Sequence, residues 1–130
     1  MDDEPITELR PVAFPQVFGY LCDPTDNPSG REALAICLTE YCTRHELALR
    51  GVFTDREWTA TVHSRAFIGL LHAIELPGTY GVVVPAPSHL GPQRIATERR
   101  RRITATGARL IVVRTARPTR DAGRLRRGDM

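Results

Sequence analysis

The sequence predicts an α/β fold, a small parallel β-sheet of about four strands with helices on both faces. Two observations carry the prediction. Short, continuously apolar runs such as Tyr80 to Val84 fit strands covered on both sides. Between them lie longer segments whose apolar residues recur with the period of a helix buried along one stripe. The two patterns alternate, and alternation of this kind implies parallel strands joined by right-handed crossovers.

Each element has its own signal. Residues 1–15 carry Asp2, Asp3, Glu4 and three prolines without periodicity, and read as a flexible leader. Val17 to Leu21 is the first strand, aromatic-rich and apolar. After a turn-rich stretch from Asp23 to Gly30, Ser29 and Glu32 have the spacing of a capping box. Leu34, Cys37, Leu38 and Tyr41 then place one apolar face on a helix expected to reach about Leu47.

Gly51 to Phe53 is a second short strand. Ser64 is the expected N-cap of a second helix, whose apolar face is Phe67, Leu70, Leu71 and Ile74 and whose stop is Pro77-Gly78. Tyr80 to Val84 follows as the third strand, ended by Pro85 and Pro87. The stretch Pro92 to Thr106 has helix formers and Gly107 to close it, but few apolar residues, so it is expected on the surface. Arg109 to Arg114 encloses a fourth strand, and residues 115–130, Arg-rich and without an apolar face, read as a disordered tail. The α/β domain therefore occupies residues 16–114.

At 130 residues the chain is one domain. Its 42% hydrophobic and 25% charged content argues against disorder throughout and against a membrane-embedded fold. All 18 basic residues are Arg, for which a high-GC coding bias is the plain explanation. Their distribution says more. Residues 1–93 hold 6 Arg against 12 acidic residues, and residues 94–130 hold 12 Arg against 3. A segment so polarised is suited to an anionic partner, nucleic acid first, with solvated Arg on a helix face as the bland alternative.

Three Cys without paired spacing give no disulfide framework, and neither a signal stretch nor a long apolar run is present, so a reducing cytoplasm is expected. Cys37 and Cys42 lack the companions a metal site needs, and no metal or cofactor is expected. Ligands of open α/β sheets bind beyond the carboxyl ends of the strands. Here two loops stand there, Cys22 to Gly30 and Pro85 to Gly91, carrying Cys22, Thr25, Ser88 and His89 as reactive candidates. Neither a GxGxxG nor a Walker pattern occurs in them. The helix start at Ser29 and Gly30 could receive an anion, with ordinary capping as its simpler role.

The stretch from Phe18 to about Arg114 resembles the N-terminal catalytic domain of serine recombinases of the resolvase and invertase type. The resemblance rests on Phe18-Gly19-Tyr20, on Val52-Phe53-Thr54-Asp55, on Arg65 followed by Phe67 and Leu70-Leu71, on His89-Leu90-Gly91, and on Gly107-Ala108. It implies a resolvase-like fold. It also implies a serine that attacks a DNA phosphodiester, with several arginines balancing the transition-state charge. In this sequence Pro24 stands at the serine position and Cys22 at an arginine position, while Ser88, His89 and Pro92 replace an aspartate and two arginines. Of the charged positions Arg65 remains. Proline has no hydroxyl, so the family reaction is not expected, and one Arg cannot replace several converging cations.

The family's long dimerising helix and helix-turn-helix module are not expected in the short tail. What the resemblance leaves is a catalytically inactive scaffold. Its arginines, Arg94, Arg99, Arg100, Arg101, Arg102, Arg124, Arg126 and Arg127, are expected to hold nucleic acid through phosphate contacts. The alternatives are an acidic protein surface as partner, and rebuilt chemistry around Cys22, Ser88 and His89. A homodimer is left open.

Overall fold

The computed structural model describes residues 13–25, 27–57 and 61–114. The expected leader up to residue 12, Trp58, the tail 115–130 and with it Arg124, Arg126 and Arg127 lie outside the described residues.

The chain runs through β1 (Gln16–Cys22), α1 (Pro28–Arg44), β2 (Ala48–Asp55), α2 (Arg65–Ile74), β3 (Thr79–Val84), a 3-10 turn (Pro87–Leu90), α3 (Gln93–Ala105) and β4 (Arg109–Val112). The four strands form one parallel sheet in the order β2-β1-β3-β4. Alternate residues of the central strands face opposite layers. Val17 and Leu21 of β1 and Val83 of β3 pack with Leu38 and Cys42 of α1. Tyr20 of β1 and Val82 and Val84 of β3 pack with Phe67, Leu70 and Ile74 of α2 and Ile103 of α3. The sheet thus carries α1 on one face and α2 and α3 on the other.

Several expectations need correction. The cap of α1 is Asn27, whose side chain accepts the Gly30 N–H at 3.1 Å, with Pro28 in the first turn; Ser29 is already helical. The Asn-Pro pair wins because proline's missing N–H and fixed φ suit the first helical position. The helix ends at Arg44 rather than near Leu47, because His45 and Glu46, the latter at φ 58°, turn the chain back toward the sheet. Strand β2 is longer than its apolar centre, since ladder pairing from Gln16 with Ala48 to Cys22 with Asp55 draws in polar residues that periodicity cannot mark.

The surface reading of α3 holds for most of its length and fails at Arg99. That residue is 2% exposed and lies in one row with Ile95 and Ile103, both buried. Spacing of four residues puts all three on the face toward the sheet. Gly107, at φ +92°, closes the helix as its position suggested.

Candidate functional site

The strand order reverses between β1 and β3, where β1 hands the chain to one edge and β3 to the other. Beyond the carboxyl ends of these two strands lie the two loops that carry the candidates. The structure brings Cys22 and His89 together, but not as a thiol–imidazole pair. The Cys22 backbone N–H donates to His89 Nδ1 at 3.1 Å, while Cys22 Sγ lies 3.6 Å from the Glu57 carbonyl and donates there. Burial pushes the Cys22 thiol up to about 11, aided by the carboxylate of Asp55, so it stays protonated at neutral pH. Burial likewise lowers the His89 pKa, partly opposed by the nearby Asp23 carboxylate, and the Cys22 N–H donated to Nδ1 suits the neutral ring.

Ser88 is exposed, and among the described residues its hydroxyl has no hydrogen-bond partner, so Ser88 and His89 form no hydrolytic pair. Thr25 gives its hydroxyl to Asp23 Oδ1 at 2.6 Å and its backbone N–H to the same oxygen at 3.2 Å. These bonds hold the Asp23 carboxyl below the usual range, the Thr25 hydroxyl first, with Arg31 and His89 adding to the effect. Asp23 is therefore an ionised, weakly basic carboxylate that can draw little proton density from Thr25. It stands directly before Pro24, which is exposed. The start of α1 offers an anion a single amide, that of Ser29, because Asn27 takes both the Gly30 and the Arg31 N–H and Pro28 has none.

Arg65 opens α2 behind its N-cap Ser64, which accepts the Phe67 N–H at 3.2 Å. It lines a separate cleft of about 670 Å³ with Asp55, Arg56 and Glu57, and this cleft shares no wall residue with the crevice at His89. The Arg65 cleft is distinct from the crevice at His89 but adjoins the first loop, since the carbonyl of its wall residue Glu57 accepts the Cys22 thiol and that of its wall residue Asp55 accepts the Asp23 N–H at 2.9 Å. Pro92 precedes α3 without a side-chain cap.

The charged group the sequence reading missed is internal. Tyr20 donates to Asp55 Oδ2 at 2.5 Å, and Ser64 Oγ donates to the same oxygen. Arg99 donates to Tyr20 Oη at 3.1 Å, to the Leu90 carbonyl at 3.2 Å and to the carbonyls of Val62 and Thr61. Its guanidinium also lies 5.0 Å from the centre of the Phe67 ring. Burial and the Asp55 contact raise the Tyr20 pKa far above its ordinary value, so the phenol remains a donor. Arg99 accordingly ties α3 to the loop before α2 and to β1, and it is removed from the set available to phosphate.

The other arginines of α3 differ among themselves. Arg101 and Arg102 both pair with Glu98, at 2.5 and 2.8 Å. Arg94 and Arg100 are exposed and have no ion-pair partner among the described residues. No group of three or more His, Cys, Asp or Glu side chains able to hold a metal occurs among the described residues. No helix among them is long and apolar enough to cross a membrane.

No protein-family model matches the chain, and no curated protein matches its sequence. Solved structures do. The N-terminal catalytic domain of TP901-1 integrase superposes with a TM-score of 0.66 at 18% identity, over 75% of this chain and 77% of that one. The C-terminal catalytic domain of ISC1926 TnpA, an IS607-like serine recombinase, gives 0.63 at 17% identity over 78% and 71%. A serine recombinase from Sulfolobus solfataricus gives 0.52 at 14% identity over 79% and 71%. The fold is therefore that of a serine recombinase catalytic domain, as the sequence resemblance implied.

Proposed function

We propose that this recombinase-like scaffold is catalytically inactive and acts as an accessory or regulatory factor that holds nucleic acid through the exposed arginines of α3. The observation that carries the loss of chemistry is the pair Asp23-Pro24 at the end of β1. Phosphoryl transfer needs a nucleophile and converging cations. A proline occupies the nucleophile position, and the ionised Asp23 beside it repels a phosphodiester. Neutral His89 and protonated Cys22 add no positive charge. Thr25, the nearest hydroxyl, is engaged by Asp23.

Nucleic-acid binding is supported by Arg94, Arg100, Arg101 and Arg102, all at the surface of one helix. Contacts of this kind act on phosphates, with little sequence preference and strong salt dependence. The test is anisotropy titration of a labelled duplex at two salt concentrations. Binding that weakens steeply with salt and is lost when these four arginines are neutralised supports the reading. No affinity at low salt overturns the nucleic-acid part, and a covalent protein–DNA adduct on a denaturing gel overturns the inactivity.

A second reading, a protein interaction module, is favoured by Phe14 and Tyr80, which are 47% and 40% exposed. They border a groove of about 590 Å³ at the amino ends of the strands, together with Pro15 and Leu47. Exposed aromatics around an apolar groove mark interfaces. A partner recovered after nuclease treatment, and lost with Phe14→Ser and Tyr80→Ser, would place function on this end of the molecule.

A further inference from the structure

The crevice between β1 and β3 contains a recess of about 240 Å³ that the nucleic-acid reading does not use. Its apolar walls are Leu34 and Cys37 from α1 with Pro85 and Ala86 after β3, and its polar groups are His89 and Arg114. This is the position at which open parallel sheets take small ligands. Pockets with mostly apolar walls and a few convergent polar groups are the usual form of such sites.

We infer that this recess binds a small carboxylate carrying an apolar body of about one ring, its charge met by Arg114 and its second oxygen by His89. The polar groups of the wall are donors. His89 Nδ1 is occupied as an acceptor by the Cys22 N–H, which puts the proton of the neutral ring on Nε2. The Arg114 guanidinium has no ion-pair partner among the described residues, and its backbone is held in place by donation to the Pro85 carbonyl at 3.0 Å. The nearby carboxylate, Asp23, is turned to Thr25 and is not part of the wall.

Two features narrow the ligand. At the start of α1 the Gly30 and Arg31 amides are bonded to Asn27 and Pro28 has none, and Ser29 is not part of the wall, so the two side chains of the recess carry the anion, and a planar carboxylate suits that fork. The volume lies below the roughly 300 Å³ at which pockets begin to take drug-sized molecules. A single ring or a short branched chain therefore fills it.

The experiment is an NMR titration of the full chain with benzoate, its neutral counterpart benzamide, and inorganic phosphate. Saturable benzoate shifts at Ala33, Cys37, Ala86 and His89 are expected, with benzamide and phosphate weaker by about tenfold or more. Arg114 is exposed, so Arg114→Gln should leave the spectrum folded and weaken benzoate by about tenfold. Ala33→Phe, which puts bulk at the wall, should abolish it. The inference is overturned if benzoate does not saturate, if Arg114→Gln binds as tightly as the parent, if phosphate binds as well as benzoate, or if the shifts map to Arg94 and Arg100. Because duplex binding is read on α3, failure here leaves that reading standing, and the reverse.

Discussion

At the scale of single residues, the most consequential side chain is Arg99. An arginine is almost never fully buried unless its donors are met, and here they are met by Tyr20, Leu90, Val62 and Thr61. Arg99→Ala removes those donors, strands buried acceptors and opens a cavity. Unfolding free energy should fall by about 3–5 kcal/mol in chemical denaturation, whereas Arg100→Ala should stay within about 0.5 kcal/mol. Equal midpoints for the two variants would contradict the burial. The sequence does contain a signal for this, an Arg four residues from an Ile on either side, but the partners come from segments 9 to 79 positions away. No spacing rule reaches them. The Cys22–His89 contact is hidden for the same reason, at a separation of 67 residues.

His89 adds a pH dependence whose sign is fixed by its burial. Its folded pKa lies below the unfolded value of about 6.5, so the unfolded state binds the proton more readily. Stability is full above about pH 6.5 and falls as the pH drops through the lower folded value. His89→Asn keeps an acceptor for the Cys22 N–H without the titration. Denaturation midpoints measured between about pH 7 and 5 should slope downward in the parent and less so in the variant; parallel slopes would assign the dependence to another group.

At the scale of elements, apolar patterning located the four strands and helices α1 and α2, because each buries one stripe or both faces, whereas α3 was marked by its helix formers and its closing Gly107. The patterning missed the 3-10 turn Pro87–Leu90, whose burial is confined to Leu90. Ends were less legible than centres. Helix α1 shows why: the Ser29–Glu32 spacing is right for a capping box, yet Asn27-Pro28 starts the helix two residues earlier. The two alternatives predict different losses. Asn27→Ala should cost about 1 kcal/mol, since the Gly30 N–H loses its acceptor, and Ser29→Ala should be near neutral. A larger loss at Ser29 would restore the expected cap. Gly81 is a second feature that an apolar run conceals. A Cβ there would lie 2.6 Å from the Arg109 carbonyl, so this glycine lets β4 approach β3 and thereby sets where Arg114 ends up.

At the scale of the whole molecule, the charge division seen in the sequence persists in altered form. The acidic portion contributes Asp23 and Asp55 to the interior of the strand-end region, and the basic portion contributes a surface helix. The net charge of +3 therefore understates how far the two signs are separated. Of the five arginines of α3, one is internal and two share Glu98, which leaves Arg94 and Arg100 as the pair best placed to exchange counterions for phosphates. Each phosphate contact contributes about 0.9 to the slope of log affinity against log salt on duplex DNA. Arg94→Gln with Arg100→Gln should therefore lower that slope by about 1.8, with little change in sequence preference. Arg31→Gln is the control, because its guanidinium bonds the Thr25 carbonyl on a different element. Glu98→Gln should act oppositely, freeing Arg101 and Arg102 and raising affinity most at low salt. A slope unchanged in the double variant, with affinity lost only on removing residues 115–130, would move the contact from the helix to the tail and leave α3 as a structural element whose arginines serve solubility.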